Sequence, residues 1–291
     1  MFAQLLVSSI VIGSIYALLA LAMSITYKAS EIPNFAQGEM AMMSTFITFV
    51  MLTSYGFPFW MAVIVSIGFA FLLGVALEFV FIRRAENPTP LSYIIITIGF
   101  QLMLYGLAGW IWGSEQKQIN LPFSESTVIY EGMGITLTEL NVATIVIALA
   151  VLAIIYLLIQ KTKLGLAMKA CQQNPDAARM NGISADNILA ASFGISSVVG
   201  AIAGILIAPI ITLDPSMMWD PLLKGFAAAV LGGMKNLWGV VVGGFLLAIV
   251  ENLFGTYVSI EFKSVVAFTI IVLVLYFKPS GLFDTHYVRK V

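Results

Sequence analysis

Long apolar stretches without any charged side chain constrain the fold of this chain more than any other feature. These stretches cover residues 1–27, 40–77, 87–114, 140–160, 187–213 and 264–277. The hydrocarbon core of a bilayer is about 30 Å thick, and about 20 apolar residues cross it as a helix. Most of the stretches are long enough to do so. The pattern therefore predicts an all-α fold, a polytopic transmembrane helical bundle.

The composition supports the same class of protein. Hydrophobic residues make up 60% of the chain and charged residues 10%, and the mean hydropathy is +1.00. A soluble globular protein carries about 25% charged residues, so this chain is not predicted to be one. The net charge of −1 gives no sign of nucleic-acid binding. We expect a single transmembrane domain over residues 1–291, whose apolar N-terminal run remains as the first span.

Proline, glycine and charge clusters divide the chain into about eight or nine spans. The predicted helices cover about 4–27, 34–54, 58–82, 90–112, 140–160, 187–211, 222–234, 236–257 and 262–278. The region 222–257 is predicted to be a broken helix, because 222–234 is roughly 20 Å long, too short to cross. It is either a tilted crossing that continues through Gly232-Gly233 or a re-entrant segment shielded by protein. The crossing is favoured, since a re-entrant segment would place Lys278 outside.

The basic residues predict the orientation of the spans. The loop 113–138 holds three Glu against one Lys, and 213–221 holds two Asp and no basic residue. Cytoplasmic loops carry an excess of Lys and Arg. We therefore expect the N-terminus outside and the C-terminus in the cytoplasm. The residues assigned to the cytoplasmic side are Lys28, Arg83, Arg84, Lys161, Lys163, Lys169, Arg179, Lys278, Arg289 and Lys290.

The polar loop 161–186 is predicted to form one or two short helices on the cytoplasmic face. Asn174 is a good N-cap with Pro175 at the first helical position, and Asn181-Gly182 is typical of a helix end. Two interpretations remain open from spacing alone. The loop is either a linker whose basic residues obey the positive-inside rule, or a coupling helix that docks on an ATPase.

Four segments in order resemble a known family of membrane proteins. Residues 165–182 (GLAMKACQQNPDAARMNG) resemble the cytoplasmic loop of bacterial ABC-importer permeases of the high-affinity branched-chain amino acid type. The segments 34–39 (NFAQGE), 224–233 (KGFAAAVLGG) and 278–283 (KPSGLF) resemble that family in the same order. The chain departs from it at Met168-Lys169, where many relatives carry Leu-Arg, but the positive charge is kept.

The resemblance implies an inner-membrane translocator subunit of an amino-acid importer. Its partners would be a second homologous permease or a copy of itself, two cytoplasmic ATPase subunits and an extracytoplasmic solute-binding protein. The cargo would be branched-chain or other hydrophobic amino acids, although relatives also move other amino acids, urea and small carboxylates. The residues expected to couple to the ATPase are Gly165, Lys169, Asn174, Pro175, Ala178, Arg179 and Gly182.

No enzymatic site is predicted. The sequence contains no G-x-x-x-x-G-K-[ST], so we expect the chain to bind no ATP or other cofactor and its partners to use ATP. His286 is the single histidine and Cys171 the single cysteine, which leaves neither a Ser/His/Asp set nor a metal cluster. The alternatives that stay open are an ion-coupled secondary transporter, with Glu39, Glu78 and Glu251 as proton relays, or a passive channel for small polar solutes.

A substrate pathway is predicted beside two interruptions of the apolar pattern. Asn34 reads as the N-cap of a helix that places Glu39 in its first turn, where a capping box and the helix dipole explain both residues. Alternatively, the helix start lines the pathway. Its free N–H groups would then face a substrate carboxylate, and Glu39 would face a substrate ammonium. Glu251 follows fifteen uncharged residues and is expected either to pair with Lys224 or Lys235 or to gate transport. The predicted pathway residues are Asn34, Gln37, Gly38, Glu39, Gly232, Gly233 and Glu251.

Two small-xxx-small patterns predict close helix packing. They are Gly200/Gly204 and Gly239/Gly243, and such pairs let helix backbones approach each other in lipid. Glu78 precedes Arg83 and Arg84 by about one turn and is expected to pair with those bases.

Overall fold

The computed structural model describes residues 2–85, 89–119, 121–123, 128–132, 135–278 and 280–283. Pro279 of the family-like 278–283 segment, His286 and the basic tail residues Arg289 and Lys290 lie outside the described residues.

The described residues form eleven α-helices, one π-helical segment and one two-stranded hairpin. The helices are α1 (Phe2–Ser30), α2 (Gln37–Thr53), α3 (Phe59–Ala76), α4 (Pro90–Trp112), α5 (Glu139–Lys161), α6 (Lys163–Gln173), α7 (Pro175–Met180), α8 (Ala185–Ile211), α9 (Trp219–Gly232), α10 (Leu237–Tyr257) and α11 (Lys263–Phe277). The π-helical segment Leu77–Ile82 continues α3, and β1 (Val128–Gly132) pairs with β2 (Ile135–Thr138) in antiparallel fashion. The predicted all-α bundle is confirmed, while the hairpin was not predicted.

Six of these helices are long and apolar enough to cross a membrane. They are α1, α3 with its π-helical continuation, α4, α5, α8 and α10. The remaining apolar helices are shorter, with 17 residues in α2, 14 in α9 and 15 in α11. The predicted span count of eight or nine is therefore approximate, since it depends on whether these three cross fully.

The centre of the bundle is built on α1 and α8. In the most apolar windows of these helices 72% and 67% of the residues are buried, against 22–28% for α3, α4 and α5. An interior helix must satisfy its polar side chains within the protein, and Ser196 of α8 does so by donating to the Ala22 carbonyl of α1 at 2.7 Å. The outer helices α3, α4 and α5 expose apolar side chains, as helices that face lipid do.

Glycines set the closest helix contacts. A Cβ at Gly204 of α8 would meet Thr45 and the Ala41 carbonyl of α2. A Cβ at Gly243 of α10 would overlap the Ala228 carbonyl of α9. Glycine is therefore required at both positions, and the predicted close packing is confirmed.

Candidate functional site

The residues before α2 form a turn inside the protein. The Asn34 side-chain oxygen accepts a hydrogen bond from the Ala36 N–H at 3.1 Å, and Ala36 is the N-cap of α2. The predicted helix start at Asn34 is therefore wrong by three residues. The reason is that an Asn side chain can bond the backbone two residues on and make a turn instead of a helix cap.

Gln37 fastens the start of α2 to the core. Its side-chain amide donates to the Ser196 carbonyl at 3.0 Å, and the Ser196 hydroxyl lies 2.8 Å from the Gln37 Oε1. A Cβ at Gly200 would overlap this amide, so the glycine makes room for it. Because Gln37 is fully buried and bonded on both sides, its contacts are those of a residue that holds α2 against α8.

Glu39 is a carboxylate buried in the first turn of α2. Its exposed fraction is 1%, and its Oε1 accepts a hydrogen bond from the Gln101 amide of α4 at 3.0 Å. Its Oε2 is buried and accepts no hydrogen bond of ordinary geometry from the described residues. Buried polar atoms are rarely left in this condition without a functional or structural reason, so Glu39 remains a pathway candidate.

The first turns of α2 and α9 pack against each other. A Cβ at Gly38 would lie 3.1 Å from the Leu222 side chain and 3.3 Å from the Met218 Cβ. One turn away, the rings of Phe35 and Phe226 are 6.1 Å apart. The N-termini of α2 and α9, each the positive end of a helix dipole, therefore lie close together; in α9 the Trp219 N–H bonds the Ser216 carbonyl and Pro221 has no N–H.

Gly232 and Gly233 lie at the opposite end of α9. The 14 residues of this helix extend for about 20 Å. A Cβ at Gly232 would overlap the Gly239 carbonyl of α10, and Gly233 has a φ of 94°, in the left-handed region that favours glycine. The structure therefore does not bring these two residues together with residues 34–39, and their contacts are those of packing and of a turn.

Glu251 of α10 forms a buried ion pair with Lys224 of α9. The Lys224 Nζ lies 2.6 Å from the Glu251 Oε1 and 2.6 Å from the Asp220 Oδ2. Lys263 of α11 is the next cation, at 3.6 Å from Glu251. The other sequence-based partner, Lys235, instead pairs with Glu31 at the surface.

The polar loop 161–186 forms two short helices, α6 and α7, as predicted. The Asn174 side chain caps α7 by accepting from the Asp176 and Ala177 N–H groups, and Pro175 is its first residue. Gly182 has a φ of 77° and follows the end of α7. Where α5 meets α6, a Cβ at Gly165 would overlap the Ile159 carbonyl, so glycine is required at this turn.

The polar side chains of α6 and α7 have partners within the chain. Arg179 bonds Asp186 of α8 at 3.1 Å, and Lys169 donates to the Gln160 side chain at 2.6 Å. The backbone carbonyl of Asp186 accepts a hydrogen bond from the Arg83 side chain. Arg83 also forms a two-point ion pair with Glu78. The expected pairing of Glu78 with these bases is confirmed, and a chain of polar contacts connects α7 with the end of α3.

Two apolar side chains project from this helix pair. Leu166 of α6 is 69% exposed and Met180 of α7 is 89% exposed, whereas Ala178 is buried. Both residues lie in the segment that is predicted to dock on an ATPase, so they are candidates for apolar contacts with a partner. Neither residue was predicted from the sequence, although isolated apolar residues in a polar segment were a signal for them.

Cys171 lies on α6 between these groups. Partial burial raises the pKa of the Cys171 thiol above its usual value, because desolvation disfavours the thiolate, and the nearby Arg179 charge opposes this effect. The thiol is therefore protonated at neutral pH.

Comparisons with known proteins agree with this architecture. The family model described as "Branched-chain amino acid transport system / permease component" matches residues 5–275. The high-affinity branched-chain amino acid transport system permease protein LivH of Escherichia coli K12 is 28% identical over 301 residues, which cover 100% of this chain and 98% of LivH. The corresponding protein BraD of Pseudomonas aeruginosa is 29% identical over 305 residues, which cover 100% and 98%.

A more distant relative and a solved structure extend the comparison. A probable branched-chain amino acid transport permease protein LivH of Methanocaldococcus jannaschii is 27% identical over 304 residues, covering 96% of this chain and 91% of that protein. The structure of PsaBC from Streptococcus pneumoniae in complex with Fab aligns with a TM-score of 0.52 at 11% identity, covering 96% of this chain and 92% of that chain. At this identity the alignment shows a shared fold.

Proposed function

Because this chain belongs to the family of branched-chain amino acid transport permease components, we propose that it is the membrane-spanning subunit of an ATP-driven importer for branched-chain or other hydrophobic amino acids. LivH and BraD carry that cargo class in their names, and both align over the whole chain. The structural observation that supports ATP coupling is the helix pair α6–α7, which presents Leu166 and Met180 to a partner. A secondary carrier or a channel has no need of such a surface.

The subunit would work within a larger complex. We infer a second homologous permease or a copy of this chain, two cytoplasmic ATPases and an extracytoplasmic solute-binding protein. The chain itself would bind no cofactor and hydrolyse no ATP, which agrees with the missing P-loop sequence. We infer a single permease domain in a bacterial inner membrane, with the N-terminus outside and the C-terminus in the cytoplasm, since basic residues favour that orientation.

The helix pair α6–α7 would dock on the ATPase. Leu166 and Met180 supply the apolar contacts, and the charges of Lys169 and Arg179 lie near them. Buried apolar anchors usually carry most of the energy of an interface, while charges at its rim contribute little. The residues that shape this surface are Gly165, Asn174, Pro175, Ala178 and Gly182, through the turn, the caps and the buried side of α7.

The substrate pathway would follow the first turns of α2 and α9. The supporting observations are the neighbouring N-termini of α2 and α9 and the buried Glu39 carboxylate. Asn34 and Gln37 hold this entry to α2 in place, and Gly38 lets the first turns of α2 and α9 approach each other closely. Gly232 and Gly233 would contribute indirectly, by setting the length and the turn of α9.

Uptake by the reconstituted complex tests this function. Proteoliposomes that hold the permeases and ATPases should accumulate radiolabelled leucine from the loaded binding protein only when ATP is supplied to the ATPase side. A protonophore should leave this uptake unchanged. Accumulation driven by a proton gradient without ATP would favour the ion-coupled carrier, and ATP-independent equilibration of leucine would favour the channel.

A further inference from the structure

A second polar region lies on the opposite face of α9 from Glu39. Met218, Leu222 and Phe226 follow one another at spacings of four and so share the face that meets α2. Asp220 and Lys224 share the other face, which is turned toward α1, α10 and α11. The ion pairs on this face are therefore separate from the pathway proposed beside Glu39.

This face of α9 borders a cavity of about 340 Å³. That volume is within the range of about 300–1,000 Å³ for small-molecule sites. One wall is aliphatic and comes from α1 and the last turns of α8, including Ile12, Ile207 and Ile210. The other wall carries Asp214, Asp220, Lys224 and Lys263.

The polar wall carries Lys224, which forms a buried ion pair with Glu251, and the more exposed charges of Lys263 and Asp220. Lys224 is 7% exposed and Glu251 1%, so their contact at 2.6 Å is a buried ion pair. The nearest acid to Lys263 is at 3.6 Å, beyond hydrogen-bond distance, so its ammonium donors are available to another acceptor. Asp220 is half-exposed; its Oδ2 lies 2.6 Å from the Lys224 Nζ, and its Oδ1 accepts a hydrogen bond from the Ser264 hydroxyl at 3.1 Å.

Asp214 completes the polar wall. Its Oδ1 accepts from the Ser216 N–H at 2.7 Å and from the Ser216 hydroxyl at 2.6 Å, which holds the turn before α9. In the described part of the chain its Oδ2 accepts no hydrogen bond. A carboxylate oxygen and an ammonium thus face one cavity from α8–α9 and α11.

We propose that this cavity binds a zwitterionic α-amino acid with an aliphatic side chain. The carboxylate of the ligand would bind Lys263, and its ammonium would bind Asp214 and Asp220. The aliphatic side chain would pack against the isoleucines of α1 and α8. A ligand with both charges pairs with both signs of the wall, whereas a ligand with one charge leaves an opposite group unpaired. The buried Lys224–Glu251 pair fixes α9 against α10 and so holds the wall in position. The proposal rests on the proposed amino-acid transport function and adds a site to it.

The test measures leucine binding separately from transport. Saturation-transfer NMR on the detergent-solubilised, nucleotide-free permease–ATPase complex reports weak binding of leucine without the binding protein. Ile210→Trp fills the cavity from a helix position that is 41% exposed, and Ile154→Trp, 60% exposed on α5 and outside the cavity, is the matched control. We expect Ile210→Trp to abolish leucine binding and uptake, and Ile154→Trp to change neither.

Charge variants and a leucine analogue test which charged group of leucine each residue of the polar wall binds. Lys263→Met should weaken leucine binding about tenfold, the effect expected from one charge-assisted contact. Lys263→Arg should retain most of the affinity. Asp214→Asn keeps the Oδ1 bonds of the turn and should weaken binding through the ammonium. Isopentylamine, which lacks the carboxylate, should bind no better to wild-type complex than leucine binds to Lys263→Met.

Each outcome decides a separate point. Unchanged leucine binding in Ile210→Trp, or no leucine binding in the wild type, would overturn the cavity assignment. Either result combined with normal ATP-dependent uptake would leave the proposed function intact. Leucine binding in the cavity without ATP-dependent uptake would overturn the proposed function and leave the site standing.

Discussion

Removing one member of the Lys224–Glu251 pair should be costly because both side chains are buried. At 2.6 Å, Coulomb's law with an effective dielectric constant of about 20 gives about 6 kcal/mol of gross attraction. Most of this attraction offsets the desolvation of the two ions, so the pair adds little net stability over apolar side chains. Loss of a single partner is different, since it leaves an unpaired charge in the interior.

The two single variants should lose different amounts of stability. Lys224→Met leaves Glu251, 1% exposed, with only Lys263 at 3.6 Å, so we expect a loss of about 3–5 kcal/mol in the free energy of unfolding. Glu251→Gln leaves Lys224 with Asp220 at 2.6 Å, so the loss should be about 1–3 kcal/mol. The double variant Lys224→Met/Glu251→Gln should be more stable than Lys224→Met alone. The coupling energy between the two positions should be about 1–3 kcal/mol.

The assay is a double-mutant cycle in mixed micelles. Unfolding by a denaturing detergent is followed by the fluorescence of the five tryptophans. The exposed pair Lys235–Glu31, at 3.2 Å, is the matched control, and its cycle should give no more than about 1 kcal/mol. The reasoning is refuted if the buried cycle couples no more strongly than this exposed one, or if the double variant is less stable than Lys224→Met.

Four further predictions test the two faces of the membrane domain. In a Cys171-free background, an impermeant thiol reagent should label a cysteine at Glu115 in intact cells and not one at Asp176; the reverse pattern would overturn the orientation. Met180→Asp should lower ATPase stimulation by the loaded binding protein and leave the unfolding free energy within about 0.5 kcal/mol, because the side chain is 89% exposed; normal stimulation would argue against docking there. Asn174→Ala should destabilise α7 by about 1 kcal/mol, measured as faster amide exchange over residues 176–180, and unchanged exchange would contradict the cap. Since burial raises the pKa of Cys171, its alkylation rate in the wild-type chain should rise with pH only above the range of a free cysteine, and a thiol that reacts fully at neutral pH would contradict this.

Most helix bounds could be predicted because lipid imposes a simple rule on sequence. A span needs a long apolar run, and proline, glycine or charge must interrupt the run between spans. The predicted 90–112 and 140–160 segments match α4 and α5 within one residue at each end. The caps of α7 could be predicted as well, since Asn174 and Pro175 act locally.

Features that depend on neighbouring chain could not be predicted in this way. The π-helical segment Leu77–Ile82 adds one residue to a turn without changing the apolar pattern, so composition does not reveal it. The start of α2 shifted from Asn34 to Gln37 because two local structures compete for the same Asn side chain.

The partner of Glu251 also required the fold. Lys235 lies in the turn before α10, about 20 Å from Glu251 along that helix, beyond the reach of a lysine side chain. Lys224 lies on α9, which packs beside α10, and the contacts of Gly232 with Gly239 and of Gly243 with Ala228 set how the two helices are aligned. From the sequence, both Lys224 and Lys235 are possible partners of Glu251. The alignment of α9 with α10 places only Lys224 beside it.

The same alignment explains why a helix of 14 residues carries so many of the candidate residues. The first turn of α9 packs against the first turn of α2, so the positive ends of both helix dipoles lie close together. Its two faces then meet different partners, Glu39 and α2 on one side and Glu251 with Lys263 on the other. Any movement of α9 together with α10 relative to α2 would change both polar regions together. A cysteine crosslink between Leu222 and Gly38 should therefore stop leucine uptake without preventing leucine binding in the cavity, and uptake by the crosslinked complex would show that α9 does not need to move against α2.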